Sequence, residues 1–148
     1  MTTRILFVCL GNICRSPTAE GVFRTVAPEF ATDSCGTAGW HVGKPPYGPM
    51  QAAAGARGYD LSDLRARQLD ARDFDRFDLI IGMDRQNIED IEALRPEGNT
   101  TPVRSFTEFA PDGGLNHVPD PYYTRDFDGA LNIIEAAAAG LKAHLSRA

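Results

Sequence analysis

The chain has 148 residues, enough to bury a substantial core as one domain spanning 1–148. Its 43% hydrophobic and 24% charged fractions are those of an ordinary soluble globular protein. A formal net charge of -5 and a pI near 5.1 exclude a nucleic-acid footprint, and no apolar stretch approaches the roughly 20 residues of a membrane span.

The first predicted element is a strand, Ile5 to Cys9, read "ILFVC". Such an unbroken apolar run fits a strand buried on both faces of a parallel sheet. Ala19, Val22, Phe23 and Val26 then recur at helical spacing, with Ser16 as the expected N-cap, Pro17 at the first helical position and Pro28 as the stop. A weaker strand is expected near Phe30 to Cys35, followed by the Gly/Pro-rich loop "GTAGWHVGKPPYGPM". A short helix runs from about Met50 to Arg57 and is closed by Gly58. "FDLIIGM" is the next interior strand, after which Asp84 caps a helix whose Ile88, Ile91 and Leu94 share a face and which stops before Pro96. "VRSF" supplies a fourth strand. "APDGGLNHVPDPYYTRD" is a long loop of the kind that carries function. The last helix has Phe127, Leu131, Ile134, Ala138, Leu141 and Leu145 on its inner stripe. Strands alternating with helices predict an α/β three-layer sandwich, a parallel sheet with helices on both faces and ligands at the carboxyl ends of its strands.

Cys9 ends the first strand and therefore falls in that crevice. The loop from Cys9 to Arg15 leads into a helix N-terminus, whose N–H groups and dipole favour an anion. A loop curled around its ligand adds further donors. Gly11 permits close backbone approach, and Asn12 tolerates left-handed geometry. Arg15 offers a planar fork for two phosphate oxygens. Donors of this kind lower a thiol's pKa from about 8.5 into the ~3.5–7.5 range, and the Ser16 hydroxyl is placed to donate to the resulting thiolate. The pattern is an anion cradle with a nucleophile at its floor.

"VCLGNICRSP" resembles the low-molecular-weight protein tyrosine phosphatases, whose signature is V-C-x-G-N-x-C-R-S-P. "GTAGWHVG", "RARQL", "MDRQN" and "VPDPYY" also resemble family segments, in family order, so the likeness covers essentially the whole chain. The resemblance implies a four-stranded parallel sheet and hydrolysis of phosphotyrosine through a cysteinyl-phosphate, with no cofactor and no metal. Cys9 would be the nucleophile, Arg15 the phosphate clamp and Asp120 the general acid and then base. By itself Asp120, between Pro119 and Pro121, reads as a turn-former; its catalytic role comes from the resemblance alone. Leu10, Gly11, Asn12, Ile13, Cys14 and Ser16 would complete the phosphate cradle, Asn12 fixing its conformation. Trp40, Tyr122 and Tyr123 resemble the aromatic walls of the family's phenyl slot, although a lone tryptophan is as often a core residue. Ile13 stands where phosphoarginine-specific relatives look polar, which favours phosphotyrosine. Asp84 would support the cradle as well as cap its helix, and Ser34 and Thr37 are expected as structural hydrogen-bonders. Two positions depart from the family pattern: Leu64 replaces a frequent His, and His41 a frequent Asn. The implied partner is a tyrosine-phosphorylated protein, with a tyrosine kinase as counterpart, and the implied state a monomer or weak dimer.

Three cysteines make a poor disulfide framework. With no A-x-A-like cleavage pattern at the N-terminus, a reducing cytoplasm is the expected setting. Cys9 and Cys14 are expected to form a disulfide on oxidation, and Cys35 to be buried and inert. Two rivals share the cradle. A thiol-dependent arsenate reductase needs relay cysteines near "LIIGMDRQNIED", which has none, and a silent phospho-ligand module has no use for Cys9, Arg15 and Asp120 together. His41, His117 and His144 lack metal-ligand spacing.

Overall fold

The computed structural model describes residues 2–147. Its four strands are β1 (Arg4–Cys9), β2 (Ala31–Gly36), β3 (Leu79–Gly82) and β4 (Val103–Ser105). They form one sheet in the order β2-β1-β3-β4, every neighbouring pair parallel. β1 is central, pairing Ile5 with both Thr32 and Leu79. Its residues Ile5 to Cys9 are all buried, which is why the sequence reads as an unbroken apolar run rather than an alternation.

The strand period of two sends alternate side chains to two cores. Ile5, Phe7 and Cys9 pack with α1 (Arg15–Val26) and α6 (Phe127–Ser146), where Phe7 meets Phe23 and Phe106 at ring separations of 5.8 and 5.3 Å. Leu6 and Val8 pack on the other face with Cys35, Phe74, Ile80 and Ile91. Phe74 belongs to the four-residue α3 (Asp73–Arg76) and Ile91 to α4 (Arg85–Ala93). The sheet is thus flanked by helices on both faces, as the element order predicts. Fully burying one such Phe or Ile is worth about 1.5–3 kcal/mol, so this double coverage supplies much of the drive to fold.

Several boundaries differ from expectation. α1 begins at Arg15 with Cys14 as its uncapped flank, so Ser16 is not the N-cap; its hydroxyl turns inward instead. α2 (Gly48–Gly55) starts two residues early, because Pro49 suits a helix's first turn, and Gly58 reverses the chain at φ 90°. Phe106 opens a 3₁₀ turn (Phe106–Phe109) and leaves β4 three residues long. Leu94 lies beyond α4 and is exposed, since only Ile91 of its predicted face is fully buried. The long late loop contains a second 3₁₀ turn, Pro111–Gly113, and one helical turn, α5 (Pro121–Thr124). The inner stripe of α6 is as predicted, with Leu131, Ile134, Ala138 and Leu141 fully buried. Gly140 in that helix lies so close to the Phe109 carbonyl that any Cβ would collide with it. No helix among the described residues is long and apolar enough to cross a membrane.

Candidate active site

β1 ends at Cys9 and α1 begins at Arg15, so the anion loop is slung from the carboxyl end of the central strand to a helix N-terminus. Asn12 makes the curl possible, at φ 57° in the left-handed region that Asn tolerates. Its N–H donates to Cys9 Sγ at 3.3 Å. Its side chain then locks the loop from below. Nδ2 donates to Ser16 Oγ at 2.8 Å and to Ser34 Oγ at 3.0 Å, and Oδ1 accepts from the Arg67 N–H at 3.0 Å. Ser34 Oγ in turn donates to Glu20 Oε1 at 2.7 Å. Ser16 Oγ, which accepts from Asn12, lies 3.0 Å from Cys9 Sγ and 3.3 Å from the Cys35 carbonyl. The Asn12 N–H and the Ser16 hydroxyl thus both meet the sulfur.

The residues that follow β2 tie down the outer side of the loop. The Thr37 N–H donates to the Cys9 carbonyl and the Ala38 N–H to that of Leu10, both at 2.9 Å. Gly36 is the condition for this approach, since a Cβ there would sit 2.7 Å from the Leu10 carbonyl oxygen. No side chain caps the first turn of α1, yet Arg15, Ser16, Pro17 and Thr18 are buried. The orphan N–H groups of such a helix start seek an acceptor, and an anion above Cys9 is one.

Arg15 is 3% exposed and is held by two anchors on Nη1, Asp84 Oδ2 at 2.6 Å and the Val118 carbonyl at 3.0 Å. Among the described residues, Nη2 makes only a loose 3.5 Å contact, to Asp120 Oδ2. Asp84 fills both roles raised for it: its Oδ1 accepts from the Asn87 N–H at 2.8 Å to cap α4, while its Oδ2 holds Arg15. Asp120 caps α5 by accepting from the Tyr122 N–H at 3.1 Å. The turn-former reading of Asp120 therefore holds, and the same residue faces the guanidinium.

Above the sulfur opens a cleft lined by Cys9, Leu10, Gly11, Ile13, Cys14, Arg15, Trp40, His41, Asp120, Tyr122 and Tyr123. Trp40 and Tyr123 are 68% and 69% exposed, so Trp40 is a rim residue and not part of the core. Tyr122 packs on Tyr123 edge to face and on Tyr47 at 5.2 Å between centroids.

The charges divide by depth. Burial disfavours the Arg15 cation, but Cys9, Asp84 and Asp120 outweigh it and hold the guanidinium above its ordinary range. Burial, helped by the charges of Cys9 and Asp120, pushes the Cys14 thiol up to about 12. Burial likewise pushes Cys35 well up, and it packs on the opposite face of the sheet from Cys9. Glu20 is pushed up to about 7, again chiefly by burial.

The structure gathers ten of the twelve expected site residues around one cleft. The exceptions are Asn12 and Ser16, which lie under the floor and hold the loop rather than line the opening. Ser34 is the hydrogen-bonder expected, but the Thr37 hydroxyl is buried without a partner among the described residues. Leu64 is half-buried against the apolar core, and Asn12 takes its support from Ser16, Ser34 and the Arg67 backbone instead. His41 lines the cleft, within hydrogen-bonding distance of Lys44 Nζ. Sequence reasoning missed Glu20, Tyr47 and the Val118 carbonyl. Glu20 carried one signal, a carboxylate one residue from the helix's apolar stripe; the other two carried none.

The sequence pattern of the family described as "Low molecular weight phosphotyrosine protein phosphatase" matches residues 4–148. The "Low molecular weight protein-tyrosine-phosphatase YfkJ" of Bacillus subtilis is 38% identical over 149 residues, spanning 97% of this chain and 96% of its own. The "Low molecular weight phosphotyrosine protein phosphatase" of Schizosaccharomyces pombe is 43% identical over 127 residues, 81% of each chain. The crystal structure of the B. subtilis protein superposes with a TM-score of 0.94 at 37% identity, covering 99% of this chain and 96% of that one.

Proposed function

Because the chain belongs to the low molecular weight phosphotyrosine protein phosphatase family and is a phosphatase, we propose that it dephosphorylates tyrosine-phosphorylated proteins through a cysteinyl-phosphate on Cys9. The observation that carries this reading is the convergence at one cleft floor. Cys9 Sγ lies 3.0 Å from the Ser16 hydroxyl and accepts from the Asn12 N–H at 3.3 Å, near a buried arginine and a half-buried carboxyl.

The steps follow from the groups present. A phosphate monoester enters with its oxygens toward the α1 start and Arg15. Asp84 and Val118 occupy Nη1, so the Nε–Nη2 edge of the guanidinium is the one offered to two phosphate oxygens. The Cys9 thiolate attacks phosphorus, the S–P bond forms and the P–O bond to the phenol breaks. The fixed donors hold charge on the equatorial oxygens without having to reorganise. Asp120, carrying a proton, gives it to the departing phenolate oxygen. It then takes a proton from water as that water attacks the phosphocysteine, which releases inorganic phosphate and restores the Cys9 thiolate.

Trp40, Tyr122 and Tyr123 present rings to a phenyl group, and Ile13 gives it an apolar edge. A depth set by an aryl ring favours phosphotyrosine over the shorter phosphoserine. A tyrosine kinase is then the counterpart that supplies the substrate. The reaction needs Cys9 as a free thiol, which favours a reducing compartment such as the cytoplasm. The family match over residues 4–148 supports reading 1–148 as one phosphatase domain.

The test is to trap the intermediate. Rapid denaturing quench with a ³²P-labelled tyrosyl phosphopeptide should leave label on the peptide containing Cys9. Label on another residue, or an unlabelled enzyme that still turns over at the quench times, would remove Cys9 from the chemistry.

A further inference from the structure

Among the described residues, the non-glycine residues with positive φ are Asn12 at 57° and Arg125 at 64°. The first curls the anion loop. The second closes α5, the single turn whose other end is Asp120. Left-handed backbone is unfavourable for an arginine and persists only where surrounding contacts over-determine it. Arg125 has such contacts. Arg125 Nη1 donates to the Tyr47 hydroxyl at 3.0 Å, and its guanidinium lies 5.3 Å from the Tyr47 ring centroid and 5.2 Å from that of Phe127. Tyr47 in turn donates its backbone N–H to the Ile13 carbonyl of the anion loop at 2.7 Å, and its ring packs on Tyr122.

We propose that Arg125 is a positioning residue for the acid step: through Tyr47 it clasps the turn bearing Asp120 to the loop bearing Cys9. A helical turn of four residues does not hold itself, because nucleation costs more than its few hydrogen bonds return. The backbone closure of α5 consists of the Tyr123 and Thr124 N–H groups to the Asp120 carbonyl, both at 3.1 Å, and the Arg125 N–H to the Pro121 carbonyl at 2.9 Å. Its geometry therefore depends on side-chain anchors at its ends. Pro121 is buried at the first end, and the Arg125 clasp is the anchor at the last. Releasing the clasp frays the turn from Arg125 toward Asp120. The carboxyl then spends less time within reach of a leaving oxygen, while the floor, held by Asn12 and Ser34, keeps its shape. The inference rests on reading Asp120 as the acid.

The experiment measures kcat/KM over a series of aryl phosphates whose phenols run from weakly to strongly acidic. Arg125→Gly removes the side chain and relieves the backbone at once, and Tyr47→Phe removes only the hydroxyl. For Arg125→Gly, phosphates of basic phenols should slow about tenfold and dinitrophenyl phosphate less than about twofold, the scale of a lost charged hydrogen bond and cation–π contact. Tyr47→Phe should shift the series in the same sense by about threefold. A loss uniform across the series, or no loss, overturns the clasp. Should Arg125→Gly melt below wild type, the Tyr47→Phe series carries the same decision. Asp120→Asn is run beside them. If it steepens the leaving-group dependence and Arg125→Gly does not, the clasp alone is wrong. If Asp120→Asn does not steepen it, the acid reading fails first.

Discussion

The floor and the rim of the cleft are built by different means. Cys9, Asn12, Ser16, Ser34 and Arg15 are buried where β1, β2 and α1 meet, and each is held by hydrogen bonds to its neighbours. Asp120, Tyr122, Tyr123 and Trp40 sit on loops and one short turn, partly or largely exposed. A nucleophile and an oxyanion cradle need sub-ångström placement, which a packed strand–helix junction supplies. Substrates must enter and leave past the rim, and weakly packed elements are the ones that open at little cost. The division implies that damage to the floor should abolish chemistry outright, whereas damage to the rim should grade it by substrate.

The largest effect expected is at the floor. Cys9→Ser should lower turnover by more than about a thousandfold, the loss typical of removing a catalytic group, and still bind phosphate or vanadate through Arg15 and the loop amides. Titration calorimetry with vanadate checks the second half; loss of binding with the activity would make Cys9 part of the cradle's structure. At the rim, Asp120→Asn should cost about a hundredfold with basic leaving groups and much less with good ones, the range of general acid catalysis. Equal losses along the series would place the acid elsewhere.

Oxidation sharpens the contrast within the floor. Peroxide is expected to convert the Cys9 thiolate to a sulfenic acid, which should condense with the Cys14 thiol to give a disulfide and water. Burial, with the charges of Cys9 and Asp120, pushes Cys14 up to about 12, so it resists direct attack by peroxide. After a peroxide pulse, dithiothreitol should restore most activity to wild type and markedly less to Cys14→Ser. Equal recovery, or a mapped disulfide involving Cys35, would end the proposal.

The smallest effect concerns stability. Glu20 lies under Ser34 and is faced by Asp33 and Asp63, which raise it, and by Arg24, which lowers it; burial dominates and carries it from 4.5 to about 7. A carboxyl raised on folding binds its proton more tightly in the folded state. Its stabilisation is complete below about pH 4.5 and is lost as pH climbs through about 7, up to about 3 kcal/mol over the span. Glu20→Gln should flatten that slope in urea melts at pH 5 and pH 8. An unchanged slope would show that Glu20 ionises freely.

What the sequence revealed follows the same line between floor and rim. β1, the anion loop and α1 are contiguous, so their pattern of apolar run, C-x5-R and helical spacing could be read directly. Ser16 reads as a cap in the sequence because a serine before a proline carries the same local signal whether its hydroxyl meets a backbone N–H or turns toward a sulfur. α3 has four residues, too few for a period, and Leu94 was placed on a buried face that ends a turn earlier. Asp120 had no local signal distinguishing it from a turn residue; the family resemblance singled it out. The contacts of Glu20 with Ser34, and of Tyr47 with Arg125, join segments 14 and 78 residues apart, and single-sequence periodicity holds no record of such pairs.

The close approach at Gly36 has a consequence for how such a catalyst can be lost. Any side chain there must displace the Leu10 carbonyl at 2.7 Å or the Asn12 nitrogen at 3.1 Å, both part of the curl around the sulfur. A single methyl group at the end of β2 would thus warp the anion loop while every reacting group stayed chemically intact. A descendant carrying it would keep its cysteine, arginine and aspartate, fold on the same sheet, and pass for an enzyme in any inventory of its reactive residues. In this lineage silence can be written in a hydrogen exchanged for a methyl, one strand away from the chemistry.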